Sequence, residues 1–194
     1  MTPRLQSVPT RYFDELYAAD PDPWGFQTRE YERLKYAATV AALPRTRYRN
    51  GFELGCSIGV LTRLFAERCG RLIAVDASEA PLGAARRRCA DQPHVRIRRL
   101  RVPEEWPEGR FDLVVMSEIL CFLSEQDLVA TAKRMEETLE SDGHFLVVHC
   151  LGQTIYGWSG DEVVDAFISA TRHFARPILQ SRTERYRIDV LERG

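Results

Sequence analysis

The segment from Glu53 to Gly59 is the part of the sequence whose residue types best suit a small ligand. It lies where a short apolar run, Phe52 to Leu54, gives way to apolar residues at helical spacing. Gly55 and Gly59 lack the Cβ that would keep a ligand from the backbone, and the first turn of the helix offers unpaired N–H groups. The segment therefore predicts a loop that approaches a ligand closely and binds a carboxylate.

A carboxylate follows at the end of the next predicted strand. Asp76 comes directly after the apolar run from Leu72 to Val75, one strand and one helix beyond Gly55. In a βαβ unit, an acid at this place accepts hydrogen bonds from both hydroxyls of a ribose. The loop and Asp76 together indicate a ribose-bearing cofactor, whereas the glycine pair alone would fit close packing of a helix on a strand equally well.

The spacing of the glycines excludes two common nucleotide sites. A nicotinamide site needs Gly-x-Gly-x-x-Gly, but counting from Gly55 the second and third positions hold Ser57 and Val60. A P-loop needs glycine followed by lysine and serine or threonine, and the sequence has no such run. The predicted cofactor is therefore neither a nicotinamide dinucleotide nor a nucleotide on a P-loop.

Two further side chains follow or end predicted strands and could act on a second substrate. Glu118 follows the apolar run from Phe111 to Met116, in which Asp112 is the one polar residue, and His149 ends a later apolar run. Because open α/β sheets carry their chemistry at the carboxyl ends of the strands, we predict that Glu118 orients the substrate and that His149 accepts a proton from it. A helix cap or salt bridge for Glu118, and a structural histidine at 149, are the alternatives.

The elements that must position these residues follow an α/β order. Five runs predict strands, at 52–54, 72–75, 95–100, 111–116 and 145–149. The arginines of 95–100 indicate an edge strand, and the apolar run 111–116 indicates a central one. Helices are predicted after Gly59, after Ser78 with Ser78 as the cap, and after Ser124, with Asp127 completing a capping box.

The last part of the sequence predicts one more helix and two strands. The helix follows Ser159, with Glu162 three residues on, and the strands at 178–181 and 186–191 are close enough to pair as an antiparallel hairpin. Asp142 and Gly143 predict a turn before the fifth strand. The fold class is therefore α/β, a Rossmann-like seven-stranded mixed sheet with helices on both faces and a C-terminal antiparallel hairpin.

The first 48 residues are rich in aromatic side chains and precede the strands. Two prolines in the run Asp20-Pro21-Asp22-Pro23 separate two predicted helices, the second at 30–42 with either Leu34 or Lys35 on its inner face. Trp24 and Phe26 could close over the cofactor as an apolar lid, and ordinary core packing is the alternative. We divide a single domain, 1–194, into a helical lid at 1–48, a cofactor-binding core at 49–150, and a helix with a hairpin at 151–194.

Composition limits the partners and the compartment. The 27 lysines and arginines are balanced by 28 acidic residues, which disfavours nucleic acid and anionic membranes as partners and favours a small molecule. The five cysteines show no Cys-x-x-Cys spacing, so we expect neither disulfides nor a metal site, but a reducing, cytoplasmic setting. No apolar run reaches the roughly 18 residues of a membrane span.

The ordered motifs resemble those of class I S-adenosylmethionine-dependent methyltransferases. They are the Glu53-x-Gly55 loop, Asp76, the strand from Phe111, and the segment from Leu139 to Val148. The resemblance implies S-adenosyl-L-methionine as cofactor and S-adenosyl-L-homocysteine as product, and methyl transfer from a sulfonium needs no metal. The residues implied for cofactor binding are Trp24, Glu53, Gly55, Cys56, Ser57, Gly59, Asp76, Ala77, Val102, Pro103, Ser117 and Glu118.

One position departs from the pattern of that class. After the third strand, where an acidic residue commonly binds the adenine amino group, this sequence has Arg101, Val102 and Pro103. The contact must then come from the backbone or from Glu104.

The N-terminal half resembles the nodulation protein S branch of these enzymes. The resemblance rests on the run from Asp20 to Trp24, on Tyr31-Glu32 and on Lys35-Tyr36. That family N-methylates the free amine of a chitooligosaccharide, which implies an amino-sugar acceptor here. The alternatives are an O-methyltransferase, an RNA methyltransferase, which the seven arginines between Arg86 and Arg101 would favour, and a catalytically silent relative that binds the cofactor.

Overall fold

The computed structural model describes residues 6–152 and 157–194. The strands are β1 (Tyr48–Leu54), β2 (Cys69–Asp76), β3 (Val95–Arg99), β4 (Phe111–Ser117), β5 (Leu139–Cys150), β6 (Ala175–Arg182) and β7 (Tyr186–Arg193). The helices are α1 (Thr10–Ala19), α2 (Glu30–Ala41), α3 (Val60–Ala66), α4 (Leu82–Arg88), α5 (Glu125–Thr138) and α6 (Gly160–Thr171), with a 3₁₀ turn at Leu120–Phe122.

The seven strands form one mixed sheet in the order β3-β2-β1-β4-β5-β7-β6. The first five strands run parallel, and β7 lies antiparallel between β5 and β6. The predicted fold class, including the C-terminal hairpin, is confirmed. The strand order reverses between β1 and β4, which places the loops after these two strands on either side of a crevice at the carboxyl edge.

Burial explains where the strands stand in the sheet. Every residue of β4 except Ser117 is buried, as the apolar run predicts for a central strand. β3 lies at the edge, where Arg96, Arg98 and Arg99 are exposed to solvent. Both positions in the sheet are confirmed, because charged side chains are tolerated only where one side of the strand meets water.

Two strands are longer than the apolar pattern predicts. β1 begins at Tyr48 rather than Phe52, and the Asp112 carboxylate accepts the N–H groups of Arg49 and Asn50 at 2.8 Å each. β5 begins at Leu139 and runs through Asp142, which has a left-handed φ of 61° beside a register shift. The sequence pattern did not predict these extensions, because their polar residues break the apolar alternation that indicates a strand.

Helix caps are confirmed in part. Ser159 and Glu162 form the full capping box at the start of α6, and Ser124 accepts the Asp127 N–H at the start of α5. The prediction that Asp127 completes the capping box of α5 is wrong, because its carboxylate accepts a hydrogen bond from the hydroxyl of Ser7 instead. Ser7 also accepts the Ser124 N–H at 2.8 Å, so the N-terminal segment completes this cap.

The predicted cap of α4 is also wrong. The helix begins at Leu82, and Pro81 is the residue before it. Ser78 lies three residues before Pro81, in the turn that follows β2. The Ser78 hydroxyl accepts the N–H of Ala80 at 3.2 Å and donates to the Asp14 carboxylate at 2.5 Å. Ser78 thus ties the end of β2 to α1 rather than starting a helix.

The inner face of α2 is polar. Lys35 is 1% exposed, whereas Leu34 is 53% exposed, so the structure selects Lys35 from the two residues that the helical spacing allowed. The other buried residues of this helix are Glu32, Tyr36 and Thr39. A buried lysine needs a compensating charge, and that charge lies at the carboxyl edge of the sheet.

In the described ranges, no helix is long and apolar enough to cross a membrane. Across the same residues, no three His, Cys, Asp or Glu side chains gather as metal ligands would.

Candidate active site

A cavity of about 570 Å³ lies at the carboxyl ends of the parallel strands. It is bordered by α1, α2, the loops after β1, β2, β4 and β5, and the turn between β6 and β7. Its volume falls in the range of about 300–1,000 Å³ that is usual for small-molecule sites. The predicted site residues on its wall are Trp24, Gly55, Ser57, Asp76, Ala77, Val102, Ser117, Glu118 and His149.

The loop after β1 has a left-handed backbone at three of its residues. The φ angles are 76° at Gly55, 48° at Ser57 and 78° at Gly59, and the two glycines adopt this conformation without steric cost. A Cβ on Gly59 would lie 2.9 Å from the Cα of Ala85 in α4. Close packing against α4 therefore requires a glycine at position 59, and its role in cofactor binding stays a prediction.

Asp76 ends β2 with its carboxylate at the cavity. It accepts the N–H groups of Ser57 and Ser78 at 3.0 Å each, which fixes its orientation. Burial raises the pKa of Asp76 to about 6, since its hydrogen bonds do not fully offset the loss of water. A carboxylate has about four acceptor positions, so Asp76 can still accept ribose hydroxyls.

Two predicted cofactor residues lie behind the loop rather than on the wall of the main cavity. Glu53 and Cys56 are buried and border a separate space of about 30 Å³. Burial raises the pKa of Glu53 to about 7 and keeps Cys56 in its thiol form by raising its pKa. Among the described residues, Glu53 Oε2 has no hydrogen-bond partner of ordinary geometry. Direct contact with a ligand in the main cavity is therefore not their role in this conformation.

The segment after β3 borders the cavity beyond Asp76. Val102 and Glu104 lie on the wall, whereas Pro103 is buried outside it. Glu104 is exposed and lies 3.5 Å from the guanidinium of Arg101. Glu104 is thus placed where it could supply the acidic contact that the residues at 101–103 lack.

Glu118 stands at the opposite side of the crevice, directly after β4. It has a left-handed φ of 59°, and its N–H donates to the carbonyl of Val148 at 2.9 Å. Its Oε1 accepts Lys35 Nζ at 2.6 Å and its Oε2 accepts the Cys150 N–H at 2.9 Å. The Nδ1 of His149 lies 3.5 Å from Oε2. Three segments that are distant in sequence therefore meet at one carboxylate.

The charges at this end of the cavity are set by their neighbours. Burial raises the pKa of Glu118, but the Lys35 ammonium and the Cys150 N–H lower it more, so Glu118 is ionised. Burial lowers the pKa of Lys35, but Glu118 and Glu32 raise it more, so Lys35 is charged. Burial lowers the pKa of His149, which is 1% exposed and therefore neutral near pH 7.

Sequence reasoning gave Lys35 no role in the site. Its only signal was a lysine at a position that helical spacing allowed to face inward. The separation of 83 residues between Lys35 and Glu118 explains why no local motif could reveal the pair.

The aromatic residues before α2 form one continuous cluster on the cavity wall. The ring centroids of Trp24 and Phe26 lie 5.4 Å apart in a stacked arrangement, and Trp24 meets Tyr17 edge-on at 5.6 Å. The Tyr17 hydroxyl lies 2.6 Å from Ser57 Oγ in the loop after β1. The cluster therefore packs internally and covers the cavity at the same time.

Comparison with known proteins agrees with this geometry. Residues 52–143 match the profile of a methyltransferase domain family. A solved structure from Pseudomonas syringae, described as a methyltransferase, is 36% identical, with a TM-score of 0.74 over 85% of this chain and 100% of that chain. Nodulation protein S of Sinorhizobium fredii is 25% identical over 79% of this chain and 73% of that protein.

A second structure shows how far the fold likeness extends. The N-methyltransferase NodS of Bradyrhizobium japonicum, solved with S-adenosyl-L-homocysteine, matches 95% of this chain and 98% of that chain with a TM-score of 0.80 and 18% identity. The likeness covers the mixed sheet and the crevice at its carboxyl edge, which define a Rossmann-like fold. The chain belongs to the class I S-adenosylmethionine-dependent methyltransferases and is nodulation protein S-like.

Proposed function

We propose that this protein transfers a methyl group from S-adenosylmethionine to the free amine of a small acceptor of the amino-sugar or chitooligosaccharide type. The description of one matched structure as an N-methyltransferase supports a nitrogen acceptor. The amino-sugar class rests on the resemblance of the N-terminal half to nodulation protein S, which is also among the matched proteins. The site supports it independently through the charge states of Glu118 and His149.

The residues of the cavity fit the cofactor. Asp76 presents a fixed carboxylate for ribose hydroxyls, and Gly55, with its left-handed φ, gives a backbone surface beside it without a Cβ. Val102 would border the adenine, and Trp24 would cover the cofactor as part of the aromatic cluster. When bound, the cofactor supplies a sulfonium-activated methyl group, so the protein has to align the acceptor and exclude water.

The observation that favours an amine acceptor is the ionised, tightly held Glu118. A carboxylate with a lowered pKa is a weak base but a good hydrogen-bond acceptor, so it suits the N–H of an amine better than a hydroxyl that must lose its proton during transfer. His149 borders the cavity and could serve as a base, but 1% of its surface is exposed and its Nδ1 lies 3.5 Å from Glu118 Oε2. An amine can shed its proton after transfer and needs no such base.

Each side chain at this end has a role under the proposal. Glu118 accepts a hydrogen bond from the acceptor amine and stabilises the positive charge that develops on its nitrogen. Phe26 and Tyr31 border the same cavity and exclude water from it. His149 keeps the Glu118 carboxylate in place through its Nδ1.

O-methylation is the second candidate, because His149 also borders the cavity. A matched pair of acceptors separates the two reactions: a glucosamine oligomer with one free amine, and the same oligomer fully N-acetylated. We expect methylation of the first alone, detected as a mass increase of one methyl group. The single-turnover rate should rise with pH through the pKa of the acceptor amine.

Two variants complete the test. For an amine acceptor, Glu118→Gln should slow transfer about 10²-fold or more, whereas His149→Ala should slow it less than about tenfold. His173→Ala is the control, since this histidine is exposed, pairs with Glu136 of α5 and does not border the cavity. A loss of about 10²–10⁴-fold in His149→Ala with cofactor still bound would favour O-methylation, and methylation of neither oligomer would refute the amino-sugar acceptor.

A further inference from the structure

Three charged side chains at the cavity form a buried group that carries unequal charge. Lys35 lies between two carboxylates, with Nζ 2.6 Å from Glu118 Oε1 and 3.0 Å from Glu32 Oε2. We call Glu32, Lys35 and Glu118 the α2 charge cluster. All three side chains border the cavity. The cluster holds two carboxylates but one ammonium.

Glu32 supplies the unmatched charge. It is 6% exposed, and its Oε2 lies 3.0 Å from the Lys35 ammonium, which Glu118 also contacts. Glu32 and Glu118 therefore share one ammonium, which leaves the buried cluster with one excess negative charge on the wall of a ligand cavity. A buried charge of this kind is costly unless a ligand of opposite charge compensates it.

The neighbouring groups do not cancel the excess charge. His149 is neutral, and the rings of Tyr31 and Tyr36 lie 5.1 and 5.8 Å from Lys35 Nζ. Arg185 lies over the Tyr31 ring at 3.7 Å from its centroid, but it is an exposed side chain whose charge is screened by water.

The order of the strands places the cluster beside the reacting end of the cofactor site. Along the carboxyl edge, Asp76 ends β2, Gly55 follows β1, and Glu118 follows β4. If the ribose meets Asp76, the methionine end of the cofactor extends past Gly55 toward Glu118. The only charge that methyl transfer removes from the cofactor is on its sulfonium, since S-adenosylmethionine is a sulfonium cation and S-adenosylhomocysteine is a neutral thioether.

We infer that the α2 charge cluster is a cation-selective element that makes the protein bind S-adenosylmethionine more tightly than S-adenosylhomocysteine, with Glu32 as the residue that sets this preference. The inference rests on the cofactor site and is independent of the acceptor. Its consequence is weaker retention of the product, because the attraction ends when the methyl group and the positive charge leave together for the acceptor.

Calorimetry without acceptor tests the inference. The quantity measured is the ratio of the Kd for S-adenosylhomocysteine to the Kd for S-adenosylmethionine. Glu32→Gln makes the cluster neutral and should lower this ratio about tenfold, as expected for removing one charge several ångströms from a cation at a partly buried site. Lys35→Met makes the cluster doubly negative and should raise the ratio.

The matched control is Glu30→Gln on the same helix, whose side chain is exposed and pairs with Arg33. Its ratio should equal that of the wild type. If Lys35→Met does not fold, as shown by its thermal melt, Glu32→Gln alone decides. An unchanged ratio in Glu32→Gln overturns the inference. If the wild-type protein binds neither ligand, the cofactor site itself is overturned. Failure to methylate an amine would affect the proposed function only.

Discussion

The two sides of the crevice treat their buried carboxylates in opposite ways. On the donor side, burial raises the pKa of Glu53 to about 7 and of Asp76 to about 6. On the acceptor side, the pKa of Glu118 is lowered despite burial, because the Lys35 ammonium and the Cys150 N–H favour its charge. The donor side therefore holds carboxylates at a cost to stability, whereas the acceptor side holds an ion pair that is part of the folded structure.

This difference predicts where substitutions act. Changes on the donor side should leave the fold intact. A change at Asp76 should weaken ligand binding, because Asp76 borders the cavity, whereas a change at Glu53, which lies behind the loop, should alter the pH dependence of stability. Changes on the acceptor side should reduce the stability of the fold itself, because the partners there are protein groups. Three experiments test the comparison.

The largest expected effect is on Lys35. Lys35→Met leaves the carboxylates of Glu32 and Glu118 buried without a cation, and breaking a buried pair in this way costs about 3–5 kcal/mol. Denaturant unfolding should show this loss in the free energy of unfolding. Lys133→Met is the control, since Lys133 is exposed on α5. A loss no larger than in the control would mean that the ion pair does not contribute to the fold.

The next effect is on Asp76. Asp76→Ala removes a charged acceptor for two ribose hydroxyls, so the affinity for S-adenosylhomocysteine should fall by about 2–4 kcal/mol. The free energy of unfolding should fall by less than in Lys35→Met. Asp91→Ala, which removes an exposed partner of Arg63, should leave the affinity unchanged. Equal calorimetric affinities for the wild type and Asp76→Ala would refute the ribose contact.

The smallest effect is a pH dependence from Glu53. Its pKa is about 7 in the folded protein, against an ordinary value of 4.5, so the folded state binds the proton more tightly. The stability this group contributes is present below pH 4.5 and is lost as pH rises toward 7, which amounts to about 2–3 kcal/mol between pH 5 and 8.

Glu53→Gln should remove that part of the pH dependence, so its free energy of unfolding should approach or exceed that of the wild type at pH 8. The exposed Glu67, changed to glutamine, provides the reference. Parallel curves of unfolding free energy against pH for the wild type and Glu53→Gln would show that Glu53 is not held at a cost, and the contrast between the two sides would then rest on Asp76 alone.

Much of the fold followed from apolar patterning, as the strands themselves show. The run Phe111–Met116 identified the central strand, and the arginines of β3 identified the edge, because burial and solvation leave different compositions. The start of β1 was missed, since Asp112 satisfies the backbone at Arg49 and Asn50 through contacts 63 and 62 residues distant in sequence. No local pattern encodes such a partner.

The candidate site divides in the same way. Gly55, Ser57 and Asp76 were predicted from a short motif, and the structure places all three on the cavity wall. Glu53 and Cys56 belong to the same motif but are buried beside a separate space of about 30 Å³. Their role in cofactor binding stays a prediction.

The sequence by itself determined the α/β class, the order of the strands along the chain, and a nucleotide-type loop followed by an acid, because these depend on spacing within about 25 residues along one βαβ unit. Only the tertiary structure decided that Lys35 faces inward, that it meets Glu118, and that Glu32 and Glu118 share this single ammonium. The physical reason is that a buried charge is stabilised by whichever groups the fold brings within a few ångströms of it, and separation along the chain does not determine that distance.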